Sequence, residues 1–259
     1  MEDKDYQEFI RLIYRKSGID LSQYKEAQMK RRLTSLRNKR EFPTFVQFFH
    51  ALDRDATLYY EFLDKMTINV SEFYRNDGRW QVLQNKILPK LVQKTGRLQC
   101  WSAACSTGEE PYTLLLILKQ LGYDRNASIL ATDIDENAIA RAKIGLYNER
   151  AIQGIPTPLL QRYFRKEGEF YAISDEIKNR IQFKRHNLLA DPYGSGYDLI
   201  ICRNVMIYFT EEAKDQIYAK FSQALRPGGI LFVGSTEQIF QPQRYQFVTE
   251  DTFFYRKME

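Results

Sequence analysis

The chain has 259 residues, 44% of them hydrophobic and 27% charged, with a net charge of +5, so it is long enough for at least one full core and has the balance of a soluble globular protein. No apolar run reaches membrane-spanning length, and the opening Met1-Glu2-Asp3-Lys4-Asp5 is acidic and then amphipathic, unlike a secretory signal. Cys100, Cys105 and Cys202 lack metal-ligand spacing, and His50 and His186 stand alone, which argues against a zinc site or a disulfide framework and for a reducing cytoplasm.

Residues 5–90 read as helices with short breaks. Phe9, Ile10, Leu12 and Ile13 form an apolar stripe that ends at Gly18. A second helix is expected from about Ser22 to Lys39, with Tyr24, Ala27, Leu33 and Leu36 near one face. Pro43 opens a third segment carrying Phe45, Val46, Phe48, Phe49 and Leu52, and a fourth holds Leu58, Tyr59, Phe62, Leu63 and Met66 at helical spacing. Lys25, Lys30, Arg31, Arg32, Arg37, Lys39 and Arg40 face Glu26 alone, a local excess larger than that of the whole chain. This marks a basic surface for an acidic partner, against the blander reading of a solvated charged face.

From about Leu98 the texture changes. Strands are expected at 98–103, 128–132, 181–186, 198–202 and 230–234, and helices at 111–121, 136–144 and 211–225. That alternation implies a parallel sheet with helices on both faces. Residues 165–181 interrupt it and read as a small strand-rich insertion. At the end, 245–249 and 252–256 flank the turn Glu250-Asp251 as an antiparallel hairpin.

Trp101-Ser102-Ala103-Ala104-Cys105-Ser106-Thr107-Gly108-Glu109-Glu110-Pro111-Tyr112 takes an apolar strand through a small-residue loop straight into a helix. Ile129-Leu130-Ala131-Thr132-Asp133-Ile134-Asp135 ends a second strand in acid. A small loop brings a ligand to a helix N-terminus, and a carboxylate past the next strand can bind two ribose hydroxyls. Gly-x-Gly-x-x-Gly is absent, so there is no pyrophosphate cradle. A nucleoside with an amino-acid tail and no phosphate fits, namely S-adenosylmethionine (SAM). A parallel sheet finishing in an antiparallel hairpin fits the seven-stranded fold common among SAM-dependent methyltransferases.

Five segments together resemble the chemotaxis receptor methyltransferases, the CheR family: Thr67-Ile68-Asn69-Val70-Ser71-Glu72-Phe73-Tyr74-Arg75, Ser106-Thr107-Gly108-Glu109-Glu110-Pro111-Tyr112, Ala131-Thr132-Asp133-Ile134-Asp135, Asn187-Leu188-Leu189, and Cys202-Arg203-Asn204-Val205-Met206-Ile207-Tyr208-Phe209. The resemblance covers nearly the whole chain in order. It implies an α/β protein with a small all-helical N-terminal domain for receptor recognition (1–75). A Rossmann-like, seven-stranded class I SAM-dependent methyltransferase domain (76–259) follows, with a small antiparallel β-subdomain inserted at about 165–181. The implied activity is transfer of a methyl group from SAM to glutamate side chains of bacterial chemoreceptors, giving glutamyl methyl esters and S-adenosylhomocysteine in the cytoplasm.

The resemblance also implies roles for residues that have plainer alternatives. Asp133 would bind the ribose, or else cap the next helix. Glu110 would accept from the ammonium of the SAM methionine moiety, or complete a capping box with Thr107; Glu109 reads as a solvated first-turn acid. Asn187 and Leu188 would meet adenine, or Asn187 would only satisfy loop backbone. Asn69, Ser71 and Arg75 would contact the cofactor, as would Arg203 and Asn204 at the edge of the strand 198–202. Arg75 and Tyr208 would orient the acceptor carboxylate and the transferred methyl, with a surface ion pair and plain packing as their alternatives. Lys30, Arg31, Arg32 and Arg37 would dock the glutamate-rich methylation helices of the receptor. The loop in Arg165-Lys166-Glu167-Gly168-Glu169-Phe170 is short beside that of family members that bind a C-terminal receptor pentapeptide, so no tether is expected. The rival functions are an RNA methyltransferase and a SAM-binding regulator without turnover. Asn/Asp-Pro-Pro-Tyr/Phe is missing after 199–202, and Cys202 precedes arginine rather than following proline. Both facts speak against nucleic-acid base chemistry. No membrane insertion is expected.

Overall fold

The computed structural model describes residues 2–67 and 71–259. It divides into two compact units, one of Met1–Asn69 with Asn187–Asp191 and Met206–Ile217, the other of Val70–His186, Pro192–Val205 and Tyr218–Glu259.

The first unit is built on four helices, α1 (Glu2–Ser17), α2 (Glu26–Lys39), α3 (Phe45–Arg54) and α4 (Ala56–Thr67). Phe9 anchors its core, with ring centres 5.2 Å from Phe45, 6.0 Å from Phe48 and 6.1 Å from Phe62. Thr44 caps α3 through the Gln47 N–H, and Asp5 of α1 accepts from the Phe45 and Val46 N–H groups, so one acid and one hydroxyl satisfy that helix end. The second helix starts four residues later than the spacing suggests. Asp20 captures the Ser22 N–H at 3.0 Å and closes a separate 3-10 turn, Leu21–Gln23. Tyr24 is then extended and bridges Phe209, while the Lys25 N–H donates to the Tyr208 carbonyl at 2.8 Å.

The second unit opens on α5 (Asp77–Val82), which passes through a π turn (Leu83–Ile87) into α6 (Leu88–Thr95). There follow β1 (Leu98–Ala103), α7 (Glu109–Gln120), β2 (Ala127–Asp133), α8 (Glu136–Ile144), β3 (Leu146–Asn148), α9 (Glu149–Ile152), α10 (Thr157–Tyr163), β4 (Phe164–Glu167), β5 (Phe170–Ile173), α11 (Asp175–Lys178), β6 (Ile181–Arg185) and β7 (Tyr197–Cys202). α12 (Glu211–Ala224), β8 (Leu225–Val233), β9 (Phe247–Asp251) and β10 (Phe254–Lys257) complete the chain.

The main sheet has the order β6-β2-β1-β7-β8-β10-β9 and is parallel except for β10, which runs antiparallel to both neighbours. Its central strands are mostly apolar because helices cover both faces; Leu199, Ile200 and Ile201 of β7 are fully buried. The terminal hairpin turns two residues later than expected. Asp251 stays in β9 and accepts the Thr252 N–H, and Phe253 takes the left-handed turn conformation at φ 70°. The expected insertion is a three-stranded antiparallel sheet of order β3-β5-β4. It recruits β3 from residues before 165, because three residues are too few to show alternation in sequence.

α7 begins at Glu109, with Pro111 in its first turn where no backbone donor is needed. Gly108 precedes it at φ 95°, and a Cβ there would lie 2.9 Å from Ala142 Cβ and 3.0 Å from Tyr112 Cε2. Gly108→Ala should therefore destabilise the protein by about 1–3 kcal/mol, through left-handed strain and overpacking together. Urea denaturation checks this, and an unchanged midpoint would show that the turn can relax.

Candidate active site

The carboxyl ends of the parallel strands carry the polar residues of the second unit. After β1 the backbone alternates into left-handed conformations at Ala104 (φ 64°), Ser106 (φ 49°) and Gly108. The Cys105 N–H donates to the Thr132 carbonyl at 2.9 Å and fixes this loop beside the end of β2. Tyr147 Oη adds a bond to the Thr107 carbonyl at 2.8 Å. So placed, the Ser106 N–H meets Asp133 Oδ2 at 2.8 Å, while Asp133 Oδ1 accepts from the Asp135 N–H at 3.0 Å. Burial pushes the Asp133 carboxyl up to about 6, against the pull of those amides. The capping alternative for Asp133 is not realised. Asp135 caps α8, accepting from the Asn137 and Ala138 N–H groups.

Glu110 accepts from Ser102 Oγ of β1 at 2.7 Å. Burial pushes its carboxyl up to about 7; Arg203 and Arg75 oppose the shift and Glu237 adds to it. The capping box with Thr107 does not form, since the Thr107 hydroxyl goes to the Glu109 carboxylate at 2.7 Å and 2.9 Å. Glu109 is not the solvated acid expected. The left-handed Gly108 turns it inward, it is 4% exposed, and burial raises its carboxyl while the Thr107 and Ser71 hydroxyls stabilise the charge.

Ser71 thus lies at the head of α7, and the segment after it is held on several sides. The Phe73 N–H donates to Ala151 at 3.0 Å and the Tyr74 N–H to Thr113 Oγ1 at 3.2 Å. The Arg75 carbonyl accepts from Trp80 Nε1 at 3.1 Å and from Arg203 Nη2 at 2.8 Å. Asn69 lies outside the described residues. Arg203 is buried; its guanidinium also reaches Asn76 Oδ1 at 3.0 Å and packs over Phe232 at 4.8 Å and Trp80 at 5.4 Å. Asn204 follows in the left-handed region at φ 60°, its N–H on Glu237 Oε2 at 2.7 Å. The second unit therefore brings together Ser71, Arg75, Glu110, Asp133, Arg203 and Asn204. Glu237 and Ser102 join them unanticipated. Gly234-Ser235-Thr236-Glu237, directly after an apolar strand, was the available signal for Glu237.

The remaining expected site residues belong to the first unit. Asn187 satisfies loop backbone: its Oδ1 accepts the Leu189 N–H at 3.0 Å and its Nδ2 donates to the Gly18 carbonyl at 3.3 Å. Leu188 is buried. Tyr208 is half-buried, with the Arg32 guanidinium 4.7 Å from its ring centre. Of the four expected docking cations Arg31 is exposed, and Lys30 pairs with Asp3 at 2.6 Å. Arg37 is corrected: it is 8% exposed, held over the Phe45 ring and bonded to Asn38, so it adds nothing to an exposed basic face.

A mostly parallel sheet of this order, a glycine-poor loop entering α7 and a buried acid ending β2 define a Rossmann-like SAM-dependent methyltransferase. The chain matches the family model described as "CheR methyltransferase, SAM binding domain" over residues 69–254 and that described as "CheR methyltransferase, all-alpha domain" over residues 4–67. It belongs to the CheR methyltransferase family. It is 46% identical over 256 residues, 98% of each chain, to the chemotaxis protein methyltransferase of Listeria innocua, and 45% identical over the same span to that of Listeria monocytogenes. To the Borreliella burgdorferi chemotaxis protein methyltransferase it is 32% identical, over 94% of this chain and 91% of the other. No helix among the described residues is long and apolar enough to cross a membrane.

The donor set fits SAM: Glu110 is a buried carboxylate whose charge is costly without a cation such as an ammonium, and Asp133 is a buried carboxylate able to accept from the hydroxyls of a ribose. A carboxyl raised by folding contributes stability that is present below about pH 4.5 and lost as pH rises through about 7. Ligand-free Glu110→Gln should therefore be more stable than wild type at about pH 8, by on the order of 2 kcal/mol, with the difference shrinking towards about pH 5. The same variant should bind SAM more weakly. Urea titrations at both pH values and calorimetry check this; a difference that grows on acidification would reverse the assignment.

Proposed function

We propose that this enzyme methylates glutamate side chains on the cytoplasmic helices of chemoreceptors, with Arg75 and Tyr208 as its catalytic residues. What supports the reading most directly is a site rich in anchored carboxylates and guanidiniums within a chain that aligns end to end with chemotaxis protein methyltransferases. SAM, when bound, supplies an electrophilic methyl group to an acceptor carboxylate oxygen and leaves as the neutral thioether S-adenosylhomocysteine. A glutamate acceptor is ionised at neutral pH, so the chain need supply no general base. Asp133 takes the ribose, Glu110 the ammonium, Asn187 and Leu188 the adenine, and Ser71, Asn69, Arg203 and Asn204 complete the cofactor contacts. Arg75 and Tyr208 hold the acceptor carboxylate in line with the methyl carbon. Such alignment can contribute on the order of 7–11 kcal/mol.

Arg31, with Lys30 and Arg32, forms the surface that meets a glutamate-rich receptor helix, not a nucleic acid. The two-residue Gly168-Glu169 turn between β4 and β5 leaves little loop for a C-terminal pentapeptide, in keeping with an untethered mode. Three buried free cysteines suit a reducing compartment.

Two measurements test this reading. Radiolabelled methyl transferred to a soluble receptor fragment should be released by alkali, as an ester is, and Tyr208→Phe should lower single-turnover transfer more than it lowers SAM affinity. An alkali-stable label would overturn the glutamate assignment.

Arg31→Glu is the clean probe of docking, because Arg32 also covers the Tyr208 ring and Arg37 is buried. It should raise the receptor KM severalfold at low salt and much less at high salt, since exposed charges are screened over roughly 8 Å at physiological ionic strength. Loss of RNA binding with unchanged receptor kinetics would favour the nucleic-acid alternative.

A further inference from the structure

Between β8 and β9 the chain makes a loop whose one buried acid, Glu237, does not stay within the loop. Its Oε2 accepts two backbone donors from different strand ends, the Asn204 N–H after β7 at 2.7 Å and the Gly234 N–H after β8 at 2.8 Å. Glu237 is 4% exposed, and its own N–H closes a turn onto the Gly234 carbonyl at 3.0 Å. The far side of the loop is pinned where the Ile239 N–H donates to Tyr255 Oη of β10 at 2.9 Å. One carboxylate oxygen therefore joins the ends of two adjacent parallel strands.

The residue it holds needs holding. Asn204 sits at φ 60°, a conformation that costs a non-glycine residue energy unless its surroundings fix it. One acceptor oxygen shared by its N–H and the Gly234 N–H fixes it from two strand ends at once, and a buried N–H left without that acceptor is costly. Gly234 leaves the room for it. A Cβ there would come within 2.5 Å of Glu237 Oε2, 2.8 Å of the Asn204 nitrogen and 3.2 Å of the Asn204 side-chain amide.

We propose that Glu237 is a positioning residue for methyl transfer: by bridging the Asn204 and Gly234 amides it sets the left-handed turn at the end of β7 and so aims the Asn204 side chain at the cofactor. This rests on the reading of Asn204 as a cofactor contact. Acceptor geometry, not charge alone, is what the role requires. Glutamine keeps an oxygen at the same reach; aspartate keeps the charge but falls one methylene short; alanine loses both.

The test compares Glu237→Ala, Glu237→Gln, Glu237→Asp, Gly234→Ala and Asn204→Ala in the full-length enzyme, with thermal melting as the control for folding. The readouts are S-adenosylhomocysteine affinity by calorimetry and kcat and KM for SAM with a receptor fragment. Removing the acceptor should weaken cofactor binding and raise the SAM KM by roughly tenfold, the scale of a lost charged hydrogen bond. Glu237→Asp and Gly234→Ala should behave like Glu237→Ala, whereas Glu237→Gln should recover most of the loss. The double variant Gly234→Ala/Glu237→Ala should be no worse than either single one. An active aspartate variant beside a damaged glutamine variant would overturn positioning in favour of charge. If Asn204→Ala impairs binding while folded Glu237 variants do not, the positioning role is wrong and the Asn204 reading stands. If Asn204→Ala binds normally, the Asn204 reading fails and the positioning role falls with it. Should Glu237→Ala not fold, the glutamine–aspartate contrast decides alone.

Discussion

Carboxylates buried on backbone amides and hydroxyls are the constraint around which the catalytic unit is arranged. Asp133 rests on the Ser106 and Asp135 amides, Glu237 on those of Asn204 and Gly234, Glu110 on the Ser102 hydroxyl and Glu109 on that of Thr107. Each acid fixes a loop at the carboxyl edge of the parallel sheet. Dipoles suffice to orient such charges but compensate them only in part, which is why burial still drives Asp133 up to about 6 and Glu110 up to about 7. The ligand-free site thus carries an electrostatic cost, which a cation beside Glu110, as proposed for the SAM ammonium, would offset.

Anchoring acids on amides imposes a second feature, the clustering of left-handed backbone. Tyr74, Asn76, Ala104, Ser106 and Asn204 all have positive φ without being glycine. They lie in the segment before α5, the loop after β1 and the turn after β7. Two of these residues, Ser106 and Asn204, present their N–H groups to buried acids, Ser106 to Asp133 and Asn204 to Glu237. Strain of this kind persists only where neighbours over-determine it. Here Arg203 holds the Arg75 carbonyl and Asn76, and the Cys105 amide holds the β1 loop against Thr132.

The sheet was legible in sequence because its strands are buried on both faces and read as apolar runs, with the acid of Asp133 marking where β2 stops. What escaped was set by single side-chain captures. Asp20 takes the Ser22 amide and moves the start of α2, and Asp251 takes the Thr252 amide and shifts the final turn. β3 is too short to carry a pattern. Glu109 and Glu110 are indistinguishable by type and adjacent in sequence. Only the left-handed Gly108, which fixes the direction in which α7 begins, sends one to Thr107 and the other to Ser102. Arg37 escaped for a related reason. Charge counts along α2 cannot tell a guanidinium packed on Phe45 from one in water.

The chemistry explains why so much of the chain's structure goes into geometry and so little into acid–base groups. A carboxylate acceptor arrives ionised, and charge is neutralised as the methyl moves, so a tight ionic grip on the acceptor would stabilise the ground state more than the transition state. Arg75 is the residue proposed above to meet this requirement. Its backbone carbonyl is fixed by Trp80 and Arg203, which positions the residue through its main chain. Arg203, a buried cation, bonds the Arg75 carbonyl and the Asn76 side chain and packs on aromatic faces. A site organised this way gains its rate from alignment, and alignment depends on the loops. On the roles proposed above, the amide-bound carboxylates are then supports for alignment as much as binding groups, and Glu237 extends that logic from β2 to the ends of β7 and β8.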